Sequence, residues 1–442
     1  MTNEASLKVA YLTSGAANMF CGSCMRDNTL AVAMRELSVD MLLLPTYTPI
    51  RTDENNVSSE RVFFGGVNIF LQQKIPLFRY LPRSFDRILD NPRFIRWATK
   101  RSTSVDAKQL GALTVSMLKG KQGNQRKEVD RLCDWMVDSF RPKLINLSNA
   151  LIAGCVPELR KRLSVPIVVT LQGDDIFLDE LTPKYRDQAI AEIQRIDRDI
   201  DAYVAFSSYY ADYMANRLGI ARDKIHCVPL GIDVTDFSNL KTNETSAESK
   251  KTSIGYLARM APEKGLHVLV DAFIKLHQTH GLSETQLLMA GWMGDHRKEY
   301  VDQQFAKLDD AGLKHAYQYF GTIDRQEKID FLSRLDILSV PTTYHEPKGL
   351  FVLEAMACGI PVVQPNHGAF PEIIRETGGG ILCASDDADD TAEKLASLLR
   401  DNEERKNIGK AARDAVLRHR TAKVMAAKTL ELYQRLIAST RK

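Results

Sequence analysis

Short, almost uninterrupted apolar runs recur along this chain, each followed by a stretch whose apolar residues return at helical spacing. In the first half the runs are 7–12, 41–44, 144–147, 167–171 and 203–206, with helical patterns over 30–37, 128–140, 188–200 and 209–218. Runs apolar on both faces suit the strands of a parallel sheet covered by helices on each side. The alternation then stops at 238–253, SNLKTNETSAESKKTS, where Leu240 is the one side chain worth burying. A polar stretch of this kind reads as a linker between domains. Beyond it the pattern restarts, with strand runs at 254–257, 287–290, 317–320, 337–340, 361–363 and 381–383. Helical patterns separate them at 265–280, 298–311, 326–333, 350–358 and 391–399, and two more follow at 403–418 and 423–437.

The class that follows is α/β: two doubly wound, Rossmann-like domains in series, with ligands expected at the carboxyl ends of their strands and in a cleft between them. A length of 442 residues suits two domains of about 200 residues each. We expect a first domain over 1–238, a linker over 239–252, a second domain over 253–420 and a C-terminal helix over 421–442 that packs back on the first domain. Hydrophobic residues at 44% and charged residues at 26% exclude a disordered or membrane-spanning class. No run approaches the ~20 apolar residues a span requires, and 1–12 does not read as a leader. The net charge of +3 argues against nucleic acid as a partner. Seven scattered cysteines do not form a disulfide framework, and the expected location is cytoplasmic. Cys21 and Cys24 form a C-x-x-C pair without a second ligand pair for zinc, and are read as part of a tight loop.

The most specific segment runs Glu346-Pro-Lys348-Gly349-Leu350-Phe351-Val-Leu-Glu354 and continues Ala-Met-Ala-Cys-Gly-Ile-Pro-Val-Val. It follows a strand and opens a helix near Gly349, whose free N–H groups and positive dipole end suit a diphosphate. Glu354 lies ~7.5 Å further along the helix, so two carboxylates reach different parts of one long ligand. A second segment, Arg259-Met-Ala-Pro-Glu-Lys264-Gly265, follows the first strand of the second domain. Its Arg and Lys suit an anion gripped without a metal. In the first domain a glycine loop reaches Cys21-Gly22, and a strand ends in Leu171-Gln172-Gly173-Asp174-Asp175. The paired aspartates are not a D-x-D metal motif and read as caps for the following turn.

These segments resemble the retaining glycosyltransferases of the GT-B fold, and glycosyltransferase family 4 in particular. The first resembles their E-x7-E motif, the second their G-R-x-x-x-x-K-G segment with Ala258 in place of glycine, and the strand end their His-Gly-x-Asp with Gln172 in place of histidine. The resemblance covers nearly all of 254–399 and most of the first domain, and is weak over 50–124. It implies a retaining, metal-independent hexosyltransferase whose donor is a nucleoside diphosphate sugar of the UDP or GDP type, with no other cofactor. Glu346 would lie by the donor sugar, Arg259 and Lys264 by the leaving diphosphate, and Gln172 opposite the sugar. Gly22, Lys348, Gly349, Leu350 and Phe351 would line the donor, with Glu354 on the ribose. The acceptor, a small molecule, glycan or lipid, is left open, as is the oligomeric state. A nucleotide-sugar epimerase and a non-catalytic nucleotide-sugar sensor are the alternatives. The basic, aromatic stretch 74–101, eight Lys and Arg against Asp86 and Asp90, reads as packed amphipathic helices, an acceptor lid or a contact with the inner membrane face.

Overall fold

A computed structural model describes residues 6–15, 21–63, 69, 72–73, 107–237 and 251–440. The stretch 74–101 and most of the linker lie outside the described residues. The chain forms two units, Met1–Pro229 with Lys423–Lys442, and Leu230–Ala422.

The first unit is built on a six-stranded parallel sheet, ordered β2-β1-β3-β4-β5-β6. Its strands are β1 (Lys8–Thr13), β2 (Asp40–Pro45), β3 (Leu144–Leu147), β4 (Ile167–Thr170), β5 (Ala202–Ala205) and β6 (Ile225–Cys227). β3, β4 and β5 are buried at every position, because helices cover both faces of a parallel sheet. Val9 of β1 pairs with Met41 on one side and Leu144 on the other. The described helices are α1 (Gly22–Glu36), α2 (Ala107–Leu118), α3 (Arg126–Trp135), α4 (Val156–Arg162), α5 (Asp174–Glu180), α6 (Pro183–Asp197) and α7 (Ser208–Leu218).

The second unit carries another six-stranded parallel sheet, ordered β12-β11-β10-β7-β8-β9. The strands are β7 (Thr252–Leu257), β8 (Thr285–Ala290), β9 (Tyr317–Tyr319), β10 (Ile337–Ser339), β11 (Val362–Pro365) and β12 (Gly380–Cys383). Between and after them lie α8 (Leu266–Gln278), α9 (Lys298–Asp310), α10 (Arg325–Leu332), α11 (Leu350–Ala357), α12 (Phe370–Thr377), α13 (Ala388–Arg400) and α14 (Asn402–His419). The strand order reverses between β7 and β10, and the loops leaving such adjacent strands part to opposite faces and open a crevice. The loop after β7 carries Arg259 and Lys264, and the loop after β10 carries Glu346. In the first unit the corresponding reversal falls between β1 and β3.

The last helix, α15 (Ala422–Thr440), returns to the first unit. It buries Met425, Ala426, Leu432 and Tyr433, and the Tyr433 hydroxyl donates to Asn146 Oδ1 of β3 at 2.9 Å.

Several expectations need correction. The chain leaves the first unit at Pro229 rather than 238, because Leu230–Phe237 packs with the second unit. There Ile232 bridges Thr421, and Phe237 is buried beneath the Arg325 guanidinium at 5.6 Å. α1 starts at Gly22, ahead of the expected 30–37, since its first turns bury Arg26, Asp27 and Asn28, whose polarity hides the helical period. The single helix expected over 128–140 is α3 followed by a π-helical turn, Met136–Phe140. β6, α2, α4, α5 and α12 carry too short or too weak an apolar period to be read in advance.

Candidate functional site

At the switch point of the second unit, β7 runs into a turn, Pro262–Lys264, that ends at Gly265 with φ +70°. A Cβ there would lie 1.7 Å from the Pro341 carbonyl oxygen, so only glycine lets the turn close against the loop after β10. The Thr343 N–H donates to the Glu263 carbonyl at 3.1 Å and joins the two loops again. This contact delivers Lys264 to Glu346.

The Lys264 ammonium donates to Glu346 Oε2 at 2.7 Å and to the Tyr344 hydroxyl at 2.6 Å, and Tyr344 in turn donates to Glu346. The ammonium also lies over the Tyr344 ring at 4.7 Å and the Phe351 ring at 5.5 Å. Burial disfavours an ionised Glu346, but pairing with Lys264, the Tyr344 hydroxyl and the nearby Lys348 charge outweigh it and bring its pKa to about 2. Burial lowers the Lys264 pKa, with Arg259 and Lys348 adding to the effect and Glu346 opposing it.

The other Glu346 oxygen accepts the backbone N–H groups of Lys348 at 3.2 Å and Gly349 at 3.3 Å. A carboxylate thus sits where α11 begins, the position at which a helix favours an anion. Leu350 and Phe351 supply the first N–H groups of the helix, which have no carbonyl one turn back to bond. Gly349, with φ +68°, permits the turn into the helix. Gly368, at φ +62°, brings the loop after β11 onto the backbone of Glu346, where the Ala369 N–H donates to the Glu346 carbonyl at 2.8 Å. His367 reaches the Thr342 carbonyl at 2.8 Å and stacks on His345. The Glu346 loop is therefore held from both neighbouring strands.

Arg259 is half-exposed and pairs with Glu263 at 3.2 Å. Glu354, further along α11, is buried and receives the Lys328 ammonium of α10 at 2.6 Å. The sequence pointed to neither Lys328 nor Tyr344. Tyr344 stands two residues before Glu346 and was open to notice, whereas nothing in the spacing connects Lys328 with Glu354.

In the first unit, Gln172 lies two residues past the end of β4 and is buried. Its amide donates to the Ser148 carbonyl at 2.8 Å and to Asp27 at 3.2 Å. Asp27 is fully buried and also accepts from Tyr11, Thr13 and Arg26, at 2.8, 2.9 and 3.1 Å. Burial raises the Asp27 pKa, and Arg26 and the hydroxyls pull it back. Gly22 is the first residue of α1 and is not left-handed; the glycine this loop requires is Gly15, with φ +84° and the Thr48 carbonyl where a Cβ would be. Asp174 and Asp175 do not cap α5, which opens at the left-handed Gly173. Asp174 instead accepts the Ala150 and Gln172 N–H groups, at 2.6 and 3.0 Å, and burial lifts its pKa to about 6. Asp175 accepts from the Tyr210 hydroxyl. All seven cysteines are unbridged. Among the described residues no three His, Cys, Asp or Glu side chains gather as a metal site, and no helix is long and apolar enough to cross a membrane.

An ionised carboxylate and a lysine are held together at an anion-favouring helix start, at the switch point of a Rossmann-like unit, which defines an α/β protein with a site suited to an anionic ligand. Known proteins narrow it. The family model for glycosyl transferases group 1 matches residues 238–415, which hold Arg259, Lys264, Glu346 and Glu354. The model for Glycosyltransferase Family 4 matches 118–236, which holds Gln172. The glycogen synthase of Mycobacterium tuberculosis is 27% identical over 303 residues, covering 67% of this chain and 69% of that one. A sulfoquinovosyl transferase of Arabidopsis thaliana is 26% identical over 289 residues, 62% of this chain and 53% of its own. Among solved structures, sucrose-phosphate synthase from Thermosynechococcus elongatus superposes with a TM-score of 0.68 at 17% identity, covering 98% of this chain and all of the other. Anabaena HepE, in complex with UDP and glucose, gives 0.66 at 15% identity, covering 97% and 99%. The chain is a glycosyltransferase of the GT-B fold.

Proposed function

We propose that this enzyme moves a hexose from a nucleoside diphosphate sugar to an acceptor hydroxyl, with retention at the anomeric carbon and without a metal ion. The observation that carries the reading is the Lys264–Tyr344–Glu346 cluster at the start of α11. As the bond between the anomeric carbon and the diphosphate oxygen breaks, negative charge collects on that oxygen. Lys264, Arg259 and the first N–H groups of α11 are groups of the right charge to stabilise it. The acceptor oxygen bonds to the anomeric carbon on the face the diphosphate leaves, and its proton passes to a donor phosphate oxygen. Glu346 orients the sugar, and Glu354 accepts hydroxyls of the ribose. Gln172, tied to Asp27 and Ser148, is assigned to the sugar side. Lys348 is assigned to an acidic group on the acceptor.

A uridine or guanosine diphosphate sugar is the donor class. The Anabaena neighbour was solved with UDP and glucose, which makes UDP-glucose the first donor to try. Unbridged cysteines suit a reducing compartment, and we place the enzyme in the cytoplasm.

The test is incubation with UDP-glucose and GDP-mannose, with and without candidate acceptors, in the presence and absence of EDTA. Nucleoside diphosphate release should depend on acceptor, survive chelation and yield a product with the donor's anomeric configuration by NMR. A rate that collapses in EDTA and returns with magnesium or manganese overturns metal independence. A sugar changed in configuration with no acceptor present points to an epimerase instead.

A further inference from the structure

Lys328 and Glu354 form an ion pair in which both residues are nearly closed to solvent, at 6% and 7% exposure. They lie on different helices, α10 and α11, and are 26 residues apart. Such a pair is a poor way to hold two helices together. Removing two charges from water costs about as much as their attraction returns, and apolar side chains of similar size serve packing as well or better. The surroundings make the charge more conspicuous, because Val352, Leu353, Ala355, Met356 and Ala357 of α11 are all buried and apolar. Cys358, one turn beyond Glu354, lies within the field of both charges and of Arg413. A packing role calls for leucine or methionine here, so the charges serve something other than packing.

We propose that Lys328 is a positioning residue for nucleotide binding: its ammonium keeps the buried Glu354 carboxylate ionised and aims it at the hydroxyls of a ribose. The inference rests on the reading of Glu354 given under Proposed function. A carboxylate that loses a bonded cation in such a place takes up a proton more readily, and a neutral carboxyl has less accepting capacity for a diol than an ionised one. Lys328 thereby sets the preference for ribose without touching the reacting centre. Its loss should appear in nucleotide affinity and sugar selectivity, and the chemical step should be spared.

The experiment compares binding of UDP with 2′-deoxy-UDP, and GDP with 2′-deoxy-GDP, by calorimetry on the full chain. Wild type should prefer the ribonucleotide by about tenfold, the worth of one hydrogen bond to a charged group. Lys328→Met, similar in volume, should bring that ratio below about twofold while kcat at saturating donor stays within about twofold. Lys328→Arg should keep most of the preference. Should the methionine variant not fold, Lys328→Gln reads the same ratio, since it keeps a donor for Glu354 and loses the charge. A variant that weakens both nucleotides equally and keeps the wild-type ratio overturns the inference, because a merely structural lysine behaves that way. Glu354→Gln separates the two readings. If it loses the ratio and Lys328→Met does not, only the positioning role fails. If neither wild type nor Glu354→Gln distinguishes ribose from deoxyribose, the reading of Glu354 fails and the role of Lys328 with it.

Discussion

Glu346 and Glu354 are both buried carboxylates on one short segment, and each is paired with a different lysine, Lys264 or Lys328. That difference separates their expected roles. Ribose contacts are alike before and at the transition state, so under the role proposed for Glu354 its loss is a loss of uniform binding. Glu354→Ala should weaken free nucleoside diphosphate by ~1.5–3 kcal/mol, the range for hydrogen bonds to charged groups. Glu346 is paired with Lys264, the group proposed to meet the developing charge, so Glu346→Ala should lower kcat by on the order of a hundredfold. It should cost no more than ~0.5 kcal/mol in nucleotide affinity, because the change leaves Lys264 and the α11 N–H groups in place for phosphate. Calorimetry and initial-rate kinetics on the two variants decide the matter. The opposite pattern, nucleotide lost with Glu346 and turnover alone lost with Glu354, reverses the two assignments.

At the scale of elements, the site depends on how closely the loops after β7 and β10 approach. Gly265 is the point of contact, and the atom a new Cβ would meet is a backbone carbonyl, which has little room to give. Gly265→Ala should therefore cost ~1–3 kcal/mol for the left-handed backbone alone. It should also pull Lys264 away from Glu346 and, under the role proposed for Lys264, lower kcat/KM by more than about tenfold, since misplacing a catalytic group is expensive. Gly312 serves as the control, with φ +77° and open space around a Cβ. Gly312→Ala should lose ~1 kcal/mol by the same strain and leave kcat/KM unchanged. Thermal unfolding and kinetics on the pair distinguish a site contact from ordinary turn strain. Equal kinetics in the two variants would remove Gly265 from the site's support.

For the molecule as a whole, the course of the chain is the consequential feature. α15 follows the second unit in sequence and belongs to the first unit, where Tyr433 is fully buried against Asn146. Truncating a buried aromatic side chain costs ~3–5 kcal/mol, so Tyr433→Ala should lower the denaturant midpoint of the first unit by a large part of its stability. Tyr433→Phe loses only the hydrogen bond and should cost ~1 kcal/mol or somewhat more, because Asn146 keeps its own bonds to Thr170 and Leu147. Hydrogen exchange resolved by segment should show protection falling in β1, β3 and β4 and holding in β7, β8 and β10. Uniform loss across both sheets would mean that the two units unfold as one.

The sequence by itself determined the two parallel sheets, because burial on both faces leaves an apolar run that is visible locally at every strand but β6, whose three residues are only partly buried. It also offered Arg259, Lys264, Glu346, Glu354 and Gln172 as candidate site residues, since each lies on a contiguous segment beside a strand end. Only the tertiary structure decided the partners. Lys328 finds Glu354 across 26 residues, and Tyr433 finds Asn146 across 287, and no periodicity relates residues so far apart. It decided too that α1 begins at Gly22, because the face it buries is Arg26, Asp27 and Asn28, paired with groups on β1 and beyond. A polar residue shows that it belongs inside only when its partner is beside it, and the partner is supplied by the fold.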